Sequence, residues 1–171
     1  ITQYVADPLD LPATSLGALY PAVALVGGQS MSVGDGQVDC AQPLDLTEAS
    51  ATIGYTDAGV VTDIDDLGRY VQALASSSLV KSEDRLADAL PAASSAPSWY
   101  TMGGGTVQAG TLVGQFGKVP GYITGAFADR ESGLAVAVVL NNSAGNSGIG
   151  AYLAWELAAI ASKAPAARSE E

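Results

Sequence analysis

The chain has 171 residues, 48% of them hydrophobic, which is enough to bury the core of one domain or a large piece of one and excludes a disordered chain. Eighteen acidic residues against seven basic ones leave a net charge of −11. That balance repels phosphate backbones, so no nucleic-acid partner is expected. Histidine is absent and Cys40 is the single cysteine. Ser-His-Asp triads, Cys-His dyads, an internal disulfide and most zinc sites are thereby removed. No metal or cofactor is expected. No apolar run approaches the roughly 18–20 residues of a membrane helix.

In chain order, Ile1 to Ala6 reads as the end of a helix that Pro8 stops, because proline cannot continue the hydrogen-bond ladder. Pro8 to Ile53 is rich in Gly, Pro, Ser and Asp and reads as a long irregular excursion with one short strand. A clear helix follows. Thr62 stands three residues before Asp65 in a capping-box pattern, and Ile64, Leu67, Val71 and Leu74 recur on one face. It dissolves in Ser76-Ser77-Ser78. A second helix is expected from Ser82, with Glu83 and Asp84 in its first turn and Pro91 at its end.

The remainder changes character. Trp99–Met102, Thr106–Gln108, Thr111–Phe116, Tyr122–Ala128 and Leu134–Asn141 read as strands separated by glycine-rich turns. Both faces of the last strand are apolar, which predicts a central strand covered on both sides. Val136 and Val138 are expected to be buried. Ser147 is expected to cap a final helix to about Ser162, with Ile149, Leu153, Leu157 and Ile160 on one face and Leu153 and Leu157 against the sheet. The plan is α+β: a helical and irregular segment (1–95), then an antiparallel sheet with a C-terminal helix packed on it (96–164), then a polar tail (165–171).

Three stretches, taken together, resemble the superfamily of class C serine β-lactamases and D-alanyl-D-alanine carboxypeptidases. Asp7 to Leu16 looks like the "PLGM-x-x-T" segment after the family's second catalytic motif. Ala58 to Leu67 is similar to its "aGGl-x-ST-x-x-Dl" helix entry. Gly114-Gln115-Phe116-Gly117-Lys118-Val119-Pro120-Gly121-Tyr122 resembles "GH-x-G-x-x-PGf", which carries the third motif. Leu134 to Asn142 matches the apolar strand that comes next. The resemblance implies a serine hydrolase acting through an acyl-serine intermediate. Its Ser-x-x-Lys and Tyr-x-Asn motifs would precede residue 1, so this chain would be the C-terminal part, catalytically inactive alone.

The resemblance further implies that Gln115, Phe116, Gly117 and Lys118 line the substrate cleft, with no catalytic residue in this chain. It implies a secreted, periplasmic or envelope location. Its ligand would be a peptidoglycan peptide or a β-lactam, and its partner an upstream segment or a second copy. Where the family has His or Lys, this chain has Gln115, and Lys118 is a candidate substitute for the missing cation. Gln115 also motivates an alternative, a non-catalytic relative that binds cell-wall peptide or a protein. A third reading is a self-contained structural domain whose likeness is fortuitous.

Other candidates have plainer explanations. Ser78-Leu79-Val80-Lys81 spells Ser-x-x-Lys at a helix connection rather than a helix start. Tyr55-Thr56-Asp57 lacks the following Asn. Asp63, Asp65 and Asp66 fit helix capping better than a calcium loop. Gly103-Gly104-Gly105 lacks the Lys-Ser/Thr of a phosphate cradle. Trp99 and Tyr100 read first as packing residues.

Overall fold

A computed structural model describes residues 2–16, 29–34, 37–45, 59–78, 90–91, 100–103 and 105–163. A π-helical turn, Thr2–Ala6, runs into one α-helical turn, α1 (Asp7–Leu9). Pro8 sits inside that turn rather than stopping the helix before it. A first-turn position needs no amide hydrogen, so proline is tolerated there. The chain then leaves through Asp10, in the left-handed conformation at φ 52°.

The strands that follow are β1 (Ser15–Leu16), β2 (Gln29–Gly34), β3 (Gln37–Asp45) and β4 (Val60–Val61). The irregular excursion therefore holds a hairpin. β2 pairs with β3 from Gln29↔Asp45 to Gly34↔Gln37, with a register shift between Met31 and Ser32. Asp35-Gly36 stands between the innermost pair, a dipeptide strongly favoured in two-residue hairpin turns. β1 pairs with β4.

Helix α2 (Ile64–Ala75) is capped one residue later than the Thr62 pattern predicts. Asp63 Oδ1 accepts from the Asp66 amide at 2.8 Å. Val71 and Leu74 are buried and Ile64 is exposed. The helix ends where expected, and Ser77 adopts φ 64°. The helix expected from Ser82 lies outside the described residues. Its expected end, Leu90–Pro91, is strand β5.

Strands β5, β6 (Tyr100–Gly103), β7 (Thr106–Ala109), β8 (Leu112–Val119), β9 (Tyr122–Asp129) and β10 (Ala135–Leu140) form one antiparallel sheet in the order β10-β9-β8-β7-β6-β5. Each pairs with its sequence neighbour, as short turns dictate. Helix α3 (Gly148–Ala161) closes the described chain.

The sheet is covered on both faces. On one, Val71 and Ala75 of α2 meet Val113, Ala126 and Ala128, with Ala135 and Ala137 beside them. On the other, Ala151 and Ala154 of α3 meet Val107 and Phe127, with Val136, Val138 and Trp155 beside them. Strand alternation sends Phe127 to one face and its two alanine neighbours to the other. Phe127 is fully buried and takes Trp155 edge-on at 5.6 Å between ring centres.

The structure corrects four expectations. β10 is covered on both sides but ends the row of strands instead of lying in its centre, and Val136 and Val138 are half-buried. Helix α3 is rotated from the expected face. Gly150, Ala151, Ala154 and Ala158 are buried, whereas Leu157 and Ile160 are 46% and 65% exposed. The reason is backbone contact. A Cβ on Gly125 of β9 would lie 2.2 Å from the Gly150 carbonyl oxygen, so helix and strand touch through glycines. Large side chains cannot occupy that seam and turn outward. Ser147 makes no capping bond. Asn146 Oδ1 accepts from the Gly148 amide instead.

The β9–β10 hairpin is locked by Asp129. Its carboxylate accepts from the Thr111 hydroxyl, from the amides of Glu131 and Ser132 at 2.9 and 2.8 Å, and from the Ser132 hydroxyl. The Thr111 bond, then the Ser132 amide, hold its pKa at about 2, below the ordinary 3.8, against a smaller upward push from burial. Because the folded-state pKa is depressed, this stabilisation is complete above pH ~4 and disappears as pH falls towards 2. Asp129→Asn is expected to be less stable than the natural chain at pH 7 and to converge with it near pH 2. Urea unfolding across that pH range checks this. A gap independent of pH contradicts it.

Candidate active-site wall

The four residues expected to line a cleft lie together on β8. The strand is held from one side by β9 along its whole length, from Leu112↔Asp129 to Val119↔Tyr122. From the other side β7 pairs only Ala109↔Leu112 to Val107↔Gly114. Among the described strands, residues 115–119 therefore keep one open edge. The Phe116 amide donates to Gln115 Oε1 at 3.0 Å, on the side away from β9. By strand alternation Lys118 turns its backbone N–H and C=O to the same open edge.

The two faces of this segment differ. Gln115 shares the α2 face with Val113, whereas Phe116 packs into the α3-side cluster. Gln115 is exposed and its Nε2 donates to the Gly105 carbonyl at 3.2 Å. Both ends of its amide are thus oriented by backbone groups. A Cβ placed on Gly117 would meet nothing within 4 Å, so space stands open above the strand there. Three residues earlier the opposite holds. A Cβ on Gly114 would fall 2.0 Å from the Ala126 carbonyl oxygen.

Lys118 does not replace the missing cation. It projects from the face opposite Gln115, and its Nζ donates to the Gly145 carbonyl at 3.0 Å. There it borders a groove with Phe116, Pro120, Ser143 and Ser147, beside the start of α3. Ser143 is buried, and its Oγ accepts from the Gly121 amide at 2.9 Å, which fixes the turn after β8.

Sequence reasoning missed Asp66 as an anchor. Only 1% exposed, it accepts from the Ala13 amide and the Thr14 hydroxyl at 2.8 and 2.9 Å and pairs with Arg69 at 3.2 Å. It ties residues 13–14 to α2 across more than fifty positions, which no local pattern signals. Asp63 is the helix cap and Asp65 is exposed. Among the described residues no group of acids could hold a metal ion.

The remaining candidates are not brought to the wall. Ser78 lies in the turn that ends α2, with its Oγ 2.6 Å from that of Ser76. Lys81, Tyr55-Thr56-Asp57 and Trp99 lie outside the described residues. Gly103 and Gly105 flank the β6–β7 turn.

Among the described residues an antiparallel sheet carries α2 on one face and α3 on the other, a plan it shares with β-lactamase-like solved structures. The family model "Beta-lactamase" matches residues 1–159, and the chain belongs to that family. Solved structures with the same fold include a D-stereospecific amidohydrolase from Streptomyces sp. (19% identity, TM-score 0.65, 90% of this chain and 46% of that one). A D-amino acid amidase from Ochrobactrum anthropi SV3, complexed with D-phenylalanine, follows (20%, 0.60, 94% and 51%). A penicillin binding protein from Bacillus halodurans is similar (19%, 0.62, 94% and 47%). The chain spans about half the length of these structures. No curated protein matches it in sequence.

The glycines at 114 and 117 give a paired test of which part of β8 is closed. Gly117→Val is expected to leave stability within about 0.5 kcal/mol of the natural chain. Gly114→Val is expected to cost more than about 2 kcal/mol, through overpacking against β9. Urea denaturation of both variants reads the difference. Equal losses would mean that Gly117 is as enclosed as Gly114.

Proposed function

We propose that this chain forms the sheet side of the catalytic cleft of a serine amide hydrolase of the β-lactamase type, with Gln115, Phe116, Gly117 and Lys118 as its substrate-binding strand. The open edge of residues 115–119 is the observation that supports this most directly. The Phe116 N–H is taken by Gln115 Oε1, and the N–H and C=O of Lys118, turned to the same edge, can hold an extended amide substrate by strand addition. Such a grip orients the scissile carbonyl towards a serine, which adds to it, expels the amine and leaves an acyl-serine for water to hydrolyse.

The serine would come from sequence outside residues 1–171, either an upstream segment of the same protein or a separate chain. A second copy is the other candidate partner. Among the described strands β10 has a neighbour on one side only, and it carries no charged residue. An uncharged edge of this kind favours pairing with another strand. A secreted or envelope location accords with this reading, as does a peptidoglycan peptide or a β-lactam as ligand. No helix among the described residues is long and apolar enough to cross a membrane.

A second reading is a non-catalytic relative that uses the same strand to bind cell-wall peptide or a protein. It is favoured by Gln115, a neutral side chain that brings no charge to stabilise a developing oxyanion.

On the proposed reading the chain by itself forms no covalent adduct. Incubation with a labelled penicillin, followed by intact-mass measurement, is expected to leave its mass unchanged. An acyl adduct mapping to Ser78 would overturn the assignment of the nucleophile to sequence outside this chain.

A further inference from the structure

The Gln115 carboxamide stands where a peptide group of a neighbouring strand would stand. We infer that it is a built-in cap on the open edge of β8: it holds the Phe116 N–H in the free chain and swings away when a ligand strand pairs there. This role rests on the proposed use of β8 as a substrate-binding strand.

The register shows where the cap sits. β7 pairs with β8 as far as Val107↔Gly114. Carried on by two more pairs, that register would set Gly105 opposite Phe116. A ladder bond at such a pair would run from the Phe116 N–H to the Gly105 carbonyl. Gly105 instead lies in the turn between β6 and β7, at φ 72°. Gln115 spans the gap between the two groups. Its Oε1 accepts from the Phe116 N–H at 3.0 Å, and its Nε2 donates to the Gly105 carbonyl at 3.2 Å. One side chain thus supplies both the acceptor and the donor that a peptide group of a paired strand would supply.

An open edge with free backbone groups invites pairing with any extended chain. A side chain that occupies the first of those groups protects the edge without closing it, because Lys118 beyond it turns its N–H and C=O to the same side. The cap is also easily released. Gln115 is exposed, and each of its hydrogen bonds is exchanged for one to water when it turns outward, so the net loss is small. Space stands open at the next residue on that face, where a Cβ on Gly117 would meet nothing within 4 Å. A strand that adds to β8 pairs with Phe116 only in the released state, so its apparent affinity is lowered by the fraction of chains that are released.

The test compares the natural chain with Gln115→Met, which keeps the length of the side chain and removes both bonds. Amide exchange of the isotope-labelled full chain, corrected for intrinsic rates, is read at Phe116, Gly117 and Lys118. N-acetyl-D-alanyl-D-alanine is then titrated into both chains at pH 7. In the natural chain Phe116 is expected to exchange at least about tenfold more slowly than Lys118, although both amides face the open edge. Gln115→Met is expected to bring Phe116 to the rate of Lys118, to leave Gly117 slow, and to bind the peptide at least about threefold more tightly. Equal rates at Phe116 and Lys118 in the natural chain, an unchanged Phe116 in Gln115→Met, or equal affinities of the two chains overturn the cap and leave the cleft wall standing. A Lys118 amide as slow as Gly117 in both chains, or no movement of the 115–119 signals by the peptide in either, overturns the cleft wall and the cap with it.

Discussion

The contact between Gly125 and Gly150 sets the rest of this structure. A Cβ on Gly125 would fall 2.2 Å from the Gly150 carbonyl oxygen and one on Gly150 would fall 2.6 Å from the Thr124 carbonyl oxygen, so the first turn of α3 rests on the backbone of β9. That close approach forces small residues along the buried face of α3 and turns Leu157 and Ile160 outward. It also places the start of α3 beside the end of β8, where Lys118 reaches Gly145. With α2 pressed on the opposite face through Val71 and Ala75, β8 and β9 are held from both sides. Burying a side chain such as Phe127 in that sandwich contributes roughly 1.5–3 kcal/mol.

A strand fixed in this way can leave one edge open without fraying. β7 stops pairing at Gly114, and among the described strands only β9 pairs with the next five residues of β8. Asp129 at the far end of the β9–β10 hairpin and Ser143 at the turn after β8 fix the ends of this frame. The strand is therefore held in place, and backbone groups orient the Gln115 amide.

Much of the sheet was legible in the sequence, because its signals are local. Alternation and glycine turns located β7 to β10 within a few residues, and the helical period located α2 and α3. The β2–β3 hairpin was missed, because the composition of its surroundings read as loop with one short strand. The misjudged face of α3 has a different cause. Its large apolar residues form a regular stripe, yet the stripe that matters is the one of small residues opposite Gly125, and periodicity alone cannot tell a docking seam of alanines from a solvent face. The role of Asp66 depends on partners more than fifty residues away. The open edge of β8 depends on where β7 ends, which pairing decides and sequence does not show. Gln115, Phe116, Gly117 and Lys118 were singled out through the resemblance carried by Gly114 to Tyr122, and the structure shows that they share one strand. The face on which each one lies came from the structure, and it removed Lys118 as a stand-in for the missing cation.

The central claim is that β8 is a rigid strand with one open edge, and amide hydrogen exchange tests it most directly. The amides of Gln115 and Gly117 face β9 and should exchange slowly, together with Val113. The Lys118 amide faces the open edge and should exchange faster than its Gly117 neighbour by about a hundredfold or more. Uniform protection from Val113 to Val119 would mean that another strand covers the edge. Uniformly fast exchange across 115–119 would mean that the strand is not held at all. Either result would contradict the account.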